Sequence, residues 1–411
     1  MAEKKKALSP TEFYKKLSKD DRDKIVDLQN QKPLEFISTG SWVIDSLIGD
    51  GTLTGKPGGL PRGHIVEVFG DESSGKTTLA LSAIRKVQEA GGFAVLLDFE
   101  QTFHAKYSES LGVNLSKDKL LVMNPSHFQH GARLINDALA MRPMLIVVDS
   151  VSAMTPREVI EGDVDEAVGV GLQARLMSTF LQYISKFLKD SNTCLLFLNQ
   201  LRSVIKKSKY DAGPDEETSG GRSIRYYSSV RLRLKKGAVE KVNVTSKITG
   251  KKGEEPVNVT IKATVIKNKI DKPWLSAPIY IRFGEGIDNI ISVVELAINT
   301  GVIKKDGSSY SFAHKDGVLK CIGKEQLRKK LEEMDKIFDQ LRSSLIIKED
   351  DVAKEEYKDQ ETEDAMDDLL NATAETFIEK AKTKKKKKAE ADVVAPVEEL
   401  NIEEDLTNPE E

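Results

Sequence analysis

Eight consecutive residues, Gly70-Asp71-Glu72-Ser73-Ser74-Gly75-Lys76-Thr77, fit the pattern G-x-x-x-x-G-K-[ST]. Glycines at both ends let backbone N–H groups curl round phosphate oxygens, and a helix starting at Lys76 turns its positive dipole end toward the same anion. In such a loop the lysine neutralises charge on the β- and γ-phosphates and the next hydroxyl, Thr77, ligates Mg²⁺, with Thr78 beside it. Asp149 ends the apolar run MLIVVDS, where a carboxylate is placed to hold the same cation through water. Together these residues predict binding of a nucleoside triphosphate with Mg²⁺. Hydrolysis needs a further group to position water. Asp98 and Glu100 both end the run FAVLLDFE, and spacing alone does not choose between them.

Chemistry of this kind requires a strand before the glycine loop and a helix after it, and HIVEVF and TLALSAIRKVQEA supply them. Downstream, the β-branched and apolar runs FAVLLDFE, MLIVVDS and TCLLFLNQ alternate with helical stretches near 129–141 and 172–189. Buried strands that alternate with helices signal a parallel sheet wrapped by helices. The later runs SSVRLRLKK, VNVTIKATVIKNK and APIYIRFG read as adjacent, antiparallel strands. From 324 to 345, Leu327, Leu331, Met334, Ile337, Leu341 and Leu345 recur at helical spacing and predict one terminal helix. At the other end, Ser9-Pro10-Thr11-Glu12 reads as a capping box that opens a short helical arm. Phe13 and Leu17 form too small an apolar face to fold alone, so the arm is expected to dock on its own body or on a neighbouring subunit.

The chain has 411 residues and is 39% hydrophobic, which suits a charge-rich globular protein with a sizeable core. No run of about 18 apolar residues occurs, and the opening MAEKKKALSP lacks the apolar stretch of a secretory signal. No membrane partner is expected. Two cysteines, Cys194 and Cys321, lie outside any metal-ligand spacing, which fits a reducing, cytoplasmic compartment. A net charge of −3 hides an asymmetry: residues 349–411 hold 22 acidic and 9 basic side chains, a segment charge of −13, which leaves residues 1–348 at +10. A basic body with an acidic tail predicts a polyanionic partner and a tail that competes for the same surface. The tail, low in aromatics and carrying Lys384 to Lys388, is expected to be disordered.

Six segments in order, ISTGSWVIDSLI, GGLPRGHIVEVFGDESSGKTTLAL, VGLQARLMS, FLNQLR, TSGGR and VIKNK, closely resemble the bacterial RecA recombinase family and its phage relatives. The resemblance spans about residues 35–290. It implies an α/β fold: a P-loop ATPase core with a mostly parallel twisted sheet flanked by helices. A helical N-terminal arm over 1–36, a core over 37–286, a small α/β C-terminal module over 287–348 and the charged tail complete the expected organisation. By motif, the family's catalytic glutamate falls on Glu100 and its γ-phosphate sensor on Gln200 of FLNQLR. Lys267 and Lys269 of VIKNK match the lysines that reach the γ-phosphate bound by an adjacent subunit. Tyr107 matches the tyrosine stacked on adenine, with Phe283 and Gly284 of FGEGI as the opposite wall. His104 stands where the family has an aspartate that contacts the adenine amino group, which bears on base selectivity.

Two loops, about 157–171 and 202–220, are similar to the family's DNA-binding loops. In the second, Arg202, Lys206, Lys207 and Lys209 surround Tyr210, a basic and aromatic mixture suited to single strands. Arg175 of GLQAR and Arg222 of TSGGR join this set, while Gln182 replaces an arginine of the bacterial pattern. Residues 51–57 lengthen the linker before the first core strand, and KIVDLQ is the candidate for the strand that pairs subunits. The resemblance therefore implies a DNA-stimulated ATPase that forms a helical homo-oligomer on single-stranded DNA, pairs it with homologous duplex and exchanges strands, helped by single-strand-binding and loader proteins. A ring-forming motor and a nucleotide-gated scaffold are the competing readings.

Overall fold

The computed structural model describes residues 9–22, 33–49, 58–162, 166–203, 216–245 and 252–345. KIVDLQ, the 51–57 insertion, Lys206, Lys207, Lys209, Tyr210 and the 349–411 tail lie outside the described residues.

The chain opens with helix α1 (Pro10–Lys16), whose capping box forms as expected: Ser9 Oγ accepts from the Glu12 amide at 3.2 Å and Glu12 Oε2 accepts from the Ser9 amide at 2.9 Å. Helix α2 (Lys19–Arg22) follows, then a small antiparallel pair, β1 (Phe36–Ile37) with β2 (Leu60–Pro61), separated by helix α3 (Trp42–Ile48). In between, I-S-T-G-S-W-V-I-D folds around its own last residue. Asp45 is buried and accepts from Ser38 Oγ at 2.5 Å, from the Thr39 amide at 2.8 Å and from Thr39 Oγ1 at 2.6 Å.

Among the described residues, ten strands form the central sheet. Its parallel part runs β9 (Val230–Thr245), β3 (Ile65–Gly70), β7 (Cys194–Ser203), β6 (Leu145–Asp149), β4 (Ala94–Asp98) and β5 (Leu120–Met123). Beyond β9 the pairing turns antiparallel through β10 (Lys252–Asn268), β11 (Ser276–Arg282) and β12 (Gly286–Ile287), and β8 (Glu216–Thr218) pairs antiparallel with the end of β7. Strands β4 and β6 up to their final aspartates, β7 over Cys194–Leu198, and β3 apart from Glu67 are apolar because helices cover them on both faces. One face packs Val66, Val68, Leu96, Val147 and Leu196 against helix α4 (Lys76–Glu89) and α3. The other packs Ile65, Val95, Val148 and Phe197 against α6 (Phe128–Leu139) and α8 (Glu166–Ser191). Between these lie α5 (Ala105–Ser110) and α7 (Arg157–Ile160), and α9 (Arg222–Tyr227) precedes β9.

The C-terminal part holds α10 (Asn289–Asn299), a three-stranded antiparallel sheet of β13 (Lys304–Asp306), β14 (Ser309–His314) and β15 (Gly317–Ile322), and two helices, α11 (Lys324–Glu333) and α12 (Asp335–Leu345). The expectation of one helix over 324–345 is corrected here. Met334, with φ −122° and ψ 66°, leaves the helical region and redirects the chain. Leu331 and Leu341 can then both be buried while Met334 stays exposed. Steps of three and four residues continue through the break, so periodicity alone does not reveal it. Val293, Phe312, Leu327 and Leu341 belong to the same apolar cluster as Val66 and Leu232, so this part shares its core with the central sheet. Among the described residues, no helix is long and apolar enough to cross a membrane.

Candidate active site

The glycine loop sits between β3 and α4, as its spacing predicts. Gly75, the residue before the helix, has φ +84°, and a Cβ there would stand 2.3 Å from Ile281 Cδ1. At Gly70 a Cβ would stand 2.0 Å from the Leu234 carbonyl oxygen, so the loop can close only on glycine. Lys76 folds back over the loop, its Nζ donating to the carbonyls of Gly70 at 3.0 Å and Asp71 at 2.6 Å. Burial pulls the lysine below its ordinary range, opposed by the charges of Asp149, Glu100, Asp71 and Glu72.

Thr77 and Asp149 meet directly, Oγ1 to Oδ2 at 2.9 Å. Burial pushes Asp149 up to about 6, and the nearby Glu100 and Asp98 charges add to the shift. Among the described residues no cluster of three or more His, Cys, Asp or Glu could hold a metal ion alone. One hydroxyl and one carboxylate fit instead a small hard cation that takes its remaining ligands from phosphate oxygens and water, as Mg²⁺ does.

The structure separates the two carboxylates at the end of β4. Asp98 is buried and Oδ2 accepts from the Phe103 amide at 2.8 Å, which shapes the turn before α5. Glu100 is exposed, and its Oε1 accepts from Gln200 Nε2 at 3.2 Å and from Ser150 Oγ. Ser150 Oγ lies 2.6 Å from Ser152 Oγ. The loop after β3, the ends of β4 and β6 and the part of β7 paired with Gly70 thus bring Lys76, Glu100, Asp149 and Gln200 to one edge of the parallel sheet, where ligand-binding groups commonly gather. Ser150 was not singled out as a site residue from the sequence. Its signal is its place directly after Asp149.

Tyr107 and His104 line a pocket with Thr77, Asp98 and Asp149. Tyr107 Oη lies 2.9 Å from Thr78 Oγ1, and His104 Nδ1 accepts from the Tyr107 amide at 3.2 Å. The positions of Ser73, Ser74, Asp71 and Glu72 follow from the loop: Ser74 is buried, while the other three are exposed. Phe283 is half exposed at the end of β11, followed by Gly284 at φ +82°; neither lines that pocket.

Lys267 and Lys269 are not brought to this edge. Lys267 lies in register with Arg231, and Arg231 with Glu67, whereas Gly70 lies in register with Leu234, which pairs with Ala263. At about 3.3 Å per residue, Lys267 is roughly 10 Å or more down the sheet from the loop. Both ammonium groups instead donate to the end of α9: Lys267 to the carbonyls of Arg225 and Tyr226, Lys269 to Tyr226 at 3.3 Å. Burial, with the neighbouring Lys269 and Arg231 charges, pulls Lys267 down to about 8.

The DNA candidates divide. Arg175 on α8, Arg202 on β7 and Arg222 at the start of α9 are all exposed. Arg202 pairs with Glu217, so β7 and β8 form the base of the second loop. In GLQAR the preceding Gln173 is buried and its Nε2 donates to the carbonyls of Val151 and Met154, anchoring α8 to the segment after Asp149.

The family model for the RecA N-terminal domain matches residues 6–288. A Protein RecA of Mycoplasma genitalium is 38% identical over 317 residues, which cover 77% of this chain and 86% of the relative. One from Borrelia hermsii is 39% identical over 281 residues, covering 68% and 73%, and one from Chlorobaculum tepidum is 37% identical over 314 residues, covering 76% and 83%.

Proposed function

Because the chain belongs to the RecA family, we propose that it is an ATP-dependent DNA recombinase that assembles head to tail on single-stranded DNA and exchanges strands with homologous duplex. The carrying observation is the split between the two halves of the phosphate chemistry. Lys76, Glu100 and Gln200 stand at one end of the sheet and Lys267 with Lys269 toward the other. One subunit cannot bring both to one phosphate, whereas a head-to-tail neighbour can, and a head-to-tail interface that does not close generates a helix.

In this reading the loop amides and Lys76 bind the ATP phosphates, and Thr77 and Asp149 hold Mg²⁺, which would neutralise phosphate charge. Glu100, oriented by Ser150 and Gln200, takes the proton of the attacking water. Lys267 and Lys269 serve the neighbour's nucleotide as trans-acting cations, the role an arginine finger plays elsewhere. Tyr107 meets the base in the pocket it lines with His104. Arg175, Arg202, Arg222 and the basic residues of the second loop follow the DNA backbone, so sequence specificity rests on base pairing and not on protein contacts. A cytoplasmic setting follows from this activity.

Steady-state ATP hydrolysis with and without single-stranded DNA tests the proposal. DNA should stimulate the intact protein strongly, and both Lys76→Ala and Lys267→Ala/Lys269→Ala should lose that stimulation. Hydrolysis independent of DNA would defeat the reading and favour a motor or a scaffold; closed rings without filaments by electron microscopy would select the motor.

A further inference from the structure

One charged group in the central sheet has no part in this chemistry. Glu67, in the middle of β3, is fully buried between apolar neighbours, and its Oε2 accepts from Arg231 Nε at 2.5 Å. Its Oε1 accepts from Asn199 Nδ2 at 2.9 Å. Asn199 is also fully buried; its Nδ2 donates a second time, to the Ser219 carbonyl at 2.9 Å, and its Oδ1 accepts the Gln200 amide at 2.9 Å. The Arg231 guanidinium lies 4.5 Å from the centre of the Phe69 ring, immediately before the glycine loop.

A buried ion pair is weak grounds for stability, because apolar residues of similar size often hold a core equally well. This one has a particular position. On one side, Asn199 fixes the backbone of Gln200, whose side chain holds Glu100. On another, Asn199 fixes Ser219, from which Gly220 and Gly221 lead into α9, whose last carbonyls receive Lys267 and Lys269. On the third, Arg231 lies beside Lys267 on the adjacent strand. The polar atoms of Asn199 are all used, which holds this side chain in one orientation.

We infer that Glu67, Arg231 and Asn199 are positioning residues that couple the nucleotide site of one subunit to the paired lysines it presents to the next. A displacement of Gln200 at the subunit's own phosphate is passed through Asn199 to Ser219 and α9, and through Glu67 and Arg231 to β10. The inference rests on the recombinase reading and adds to it a route by which adjacent sites along a filament sense each other.

The test compares intact protein with the volume-conserving pair Glu67→Leu/Arg231→Met and, separately, with Asn199→Ala, which leaves the ion pair in place. Hydrolysis is measured against ATP concentration with and without single-stranded DNA, alongside fluorescent-nucleotide binding and thermal unfolding. The intact protein should show a sigmoidal dependence on ATP. In folded variants nucleotide affinity and DNA-free hydrolysis should persist, while the Hill coefficient falls toward 1 and DNA stimulation drops roughly tenfold, within the usual range of coupling between sites. Conservative Arg231→Lys should recover part of the stimulation. If the double variant does not fold, Asn199→Ala decides alone. Wild-type sigmoidality and stimulation in a folded variant would overturn the inference. Intact protein that DNA fails to stimulate would overturn the recombinase reading, and this inference with it.

Discussion

Glu100 is held by two neutral donors, Ser150 and Gln200, at an exposed strand end, while Asp98 two residues earlier is buried and committed to the Phe103 amide. A carboxylate oriented by side-chain donors at an exposed edge is free to accept a water proton, whereas one that caps a turn is a framework group. Glu100→Gln is expected to lower kcat by roughly 10²–10⁴-fold, the usual worth of general base catalysis, with nucleotide affinity nearly unchanged. Single-turnover hydrolysis paired with nucleotide binding measures both. Asp98→Asn, which retains an acceptor for Phe103, should remain active; the reverse pattern would transfer the role to Asp98.

At the scale of elements, Asp45 shows how a short motif becomes a brace. Its carboxylate gathers Ser38 and Thr39, and the adjoining segment is tied to the C-terminal part by Asn289, whose Oδ1 accepts the Trp42 amide at 2.8 Å and whose Nδ2 donates to Gly40. Burial pushes Asp45 up from 3.8 to about 6, outweighing its hydrogen bonds. A carboxyl with a raised native value holds its proton more tightly folded than unfolded. Its contribution is therefore fully present below about pH 4 and lost as pH rises toward 6, on the order of 3 kcal/mol at 1.36 kcal/mol per pH unit. Asp45→Asn should flatten that part of the stability profile. Denaturant unfolding between pH 4 and 7 would show it, and an unaltered slope would mean that Asp45 does not titrate in this window.

For the whole molecule, the placement of the paired lysines away from the glycine loop makes a quantitative demand. Lys76→Ala protein and Lys267→Ala/Lys269→Ala protein should each be inactive alone, yet a mixture should regain about a quarter of wild-type hydrolysis. In randomly ordered head-to-tail assemblies, about one junction in four pairs an intact loop with intact lysines. No recovery on mixing would place both defects in one site. Removing residues 349–411 takes away a segment charge of −13 and leaves a body at +10. Such a truncation should bind duplex DNA faster at low salt, with the gain shrinking as salt rises; stopped-flow binding across a salt series measures it.

Local chemistry was legible in the residues themselves. The glycine loop, its strand and helix, Asp149 at a strand end, the capping box at Ser9 and the alternation of apolar strands with helices all follow from short-range rules of spacing and backbone freedom. The order of strands and the choice of Glu100 over Asp98 did not follow from spacing, and the latter came from resemblance to a family. Periodicity also ran straight through Met334, because steps of three and four residues suit one helix or two. Only the tertiary structure brought Ser150 and Gln200 to Glu100, joined Glu67, Asn199 and Arg231 from three strands, and set Lys267 apart from Lys76. Those relations depend on which strands lie side by side and in what register. Pairing across 100 or more residues of sequence is decided by burial of whole faces and not by any local pattern.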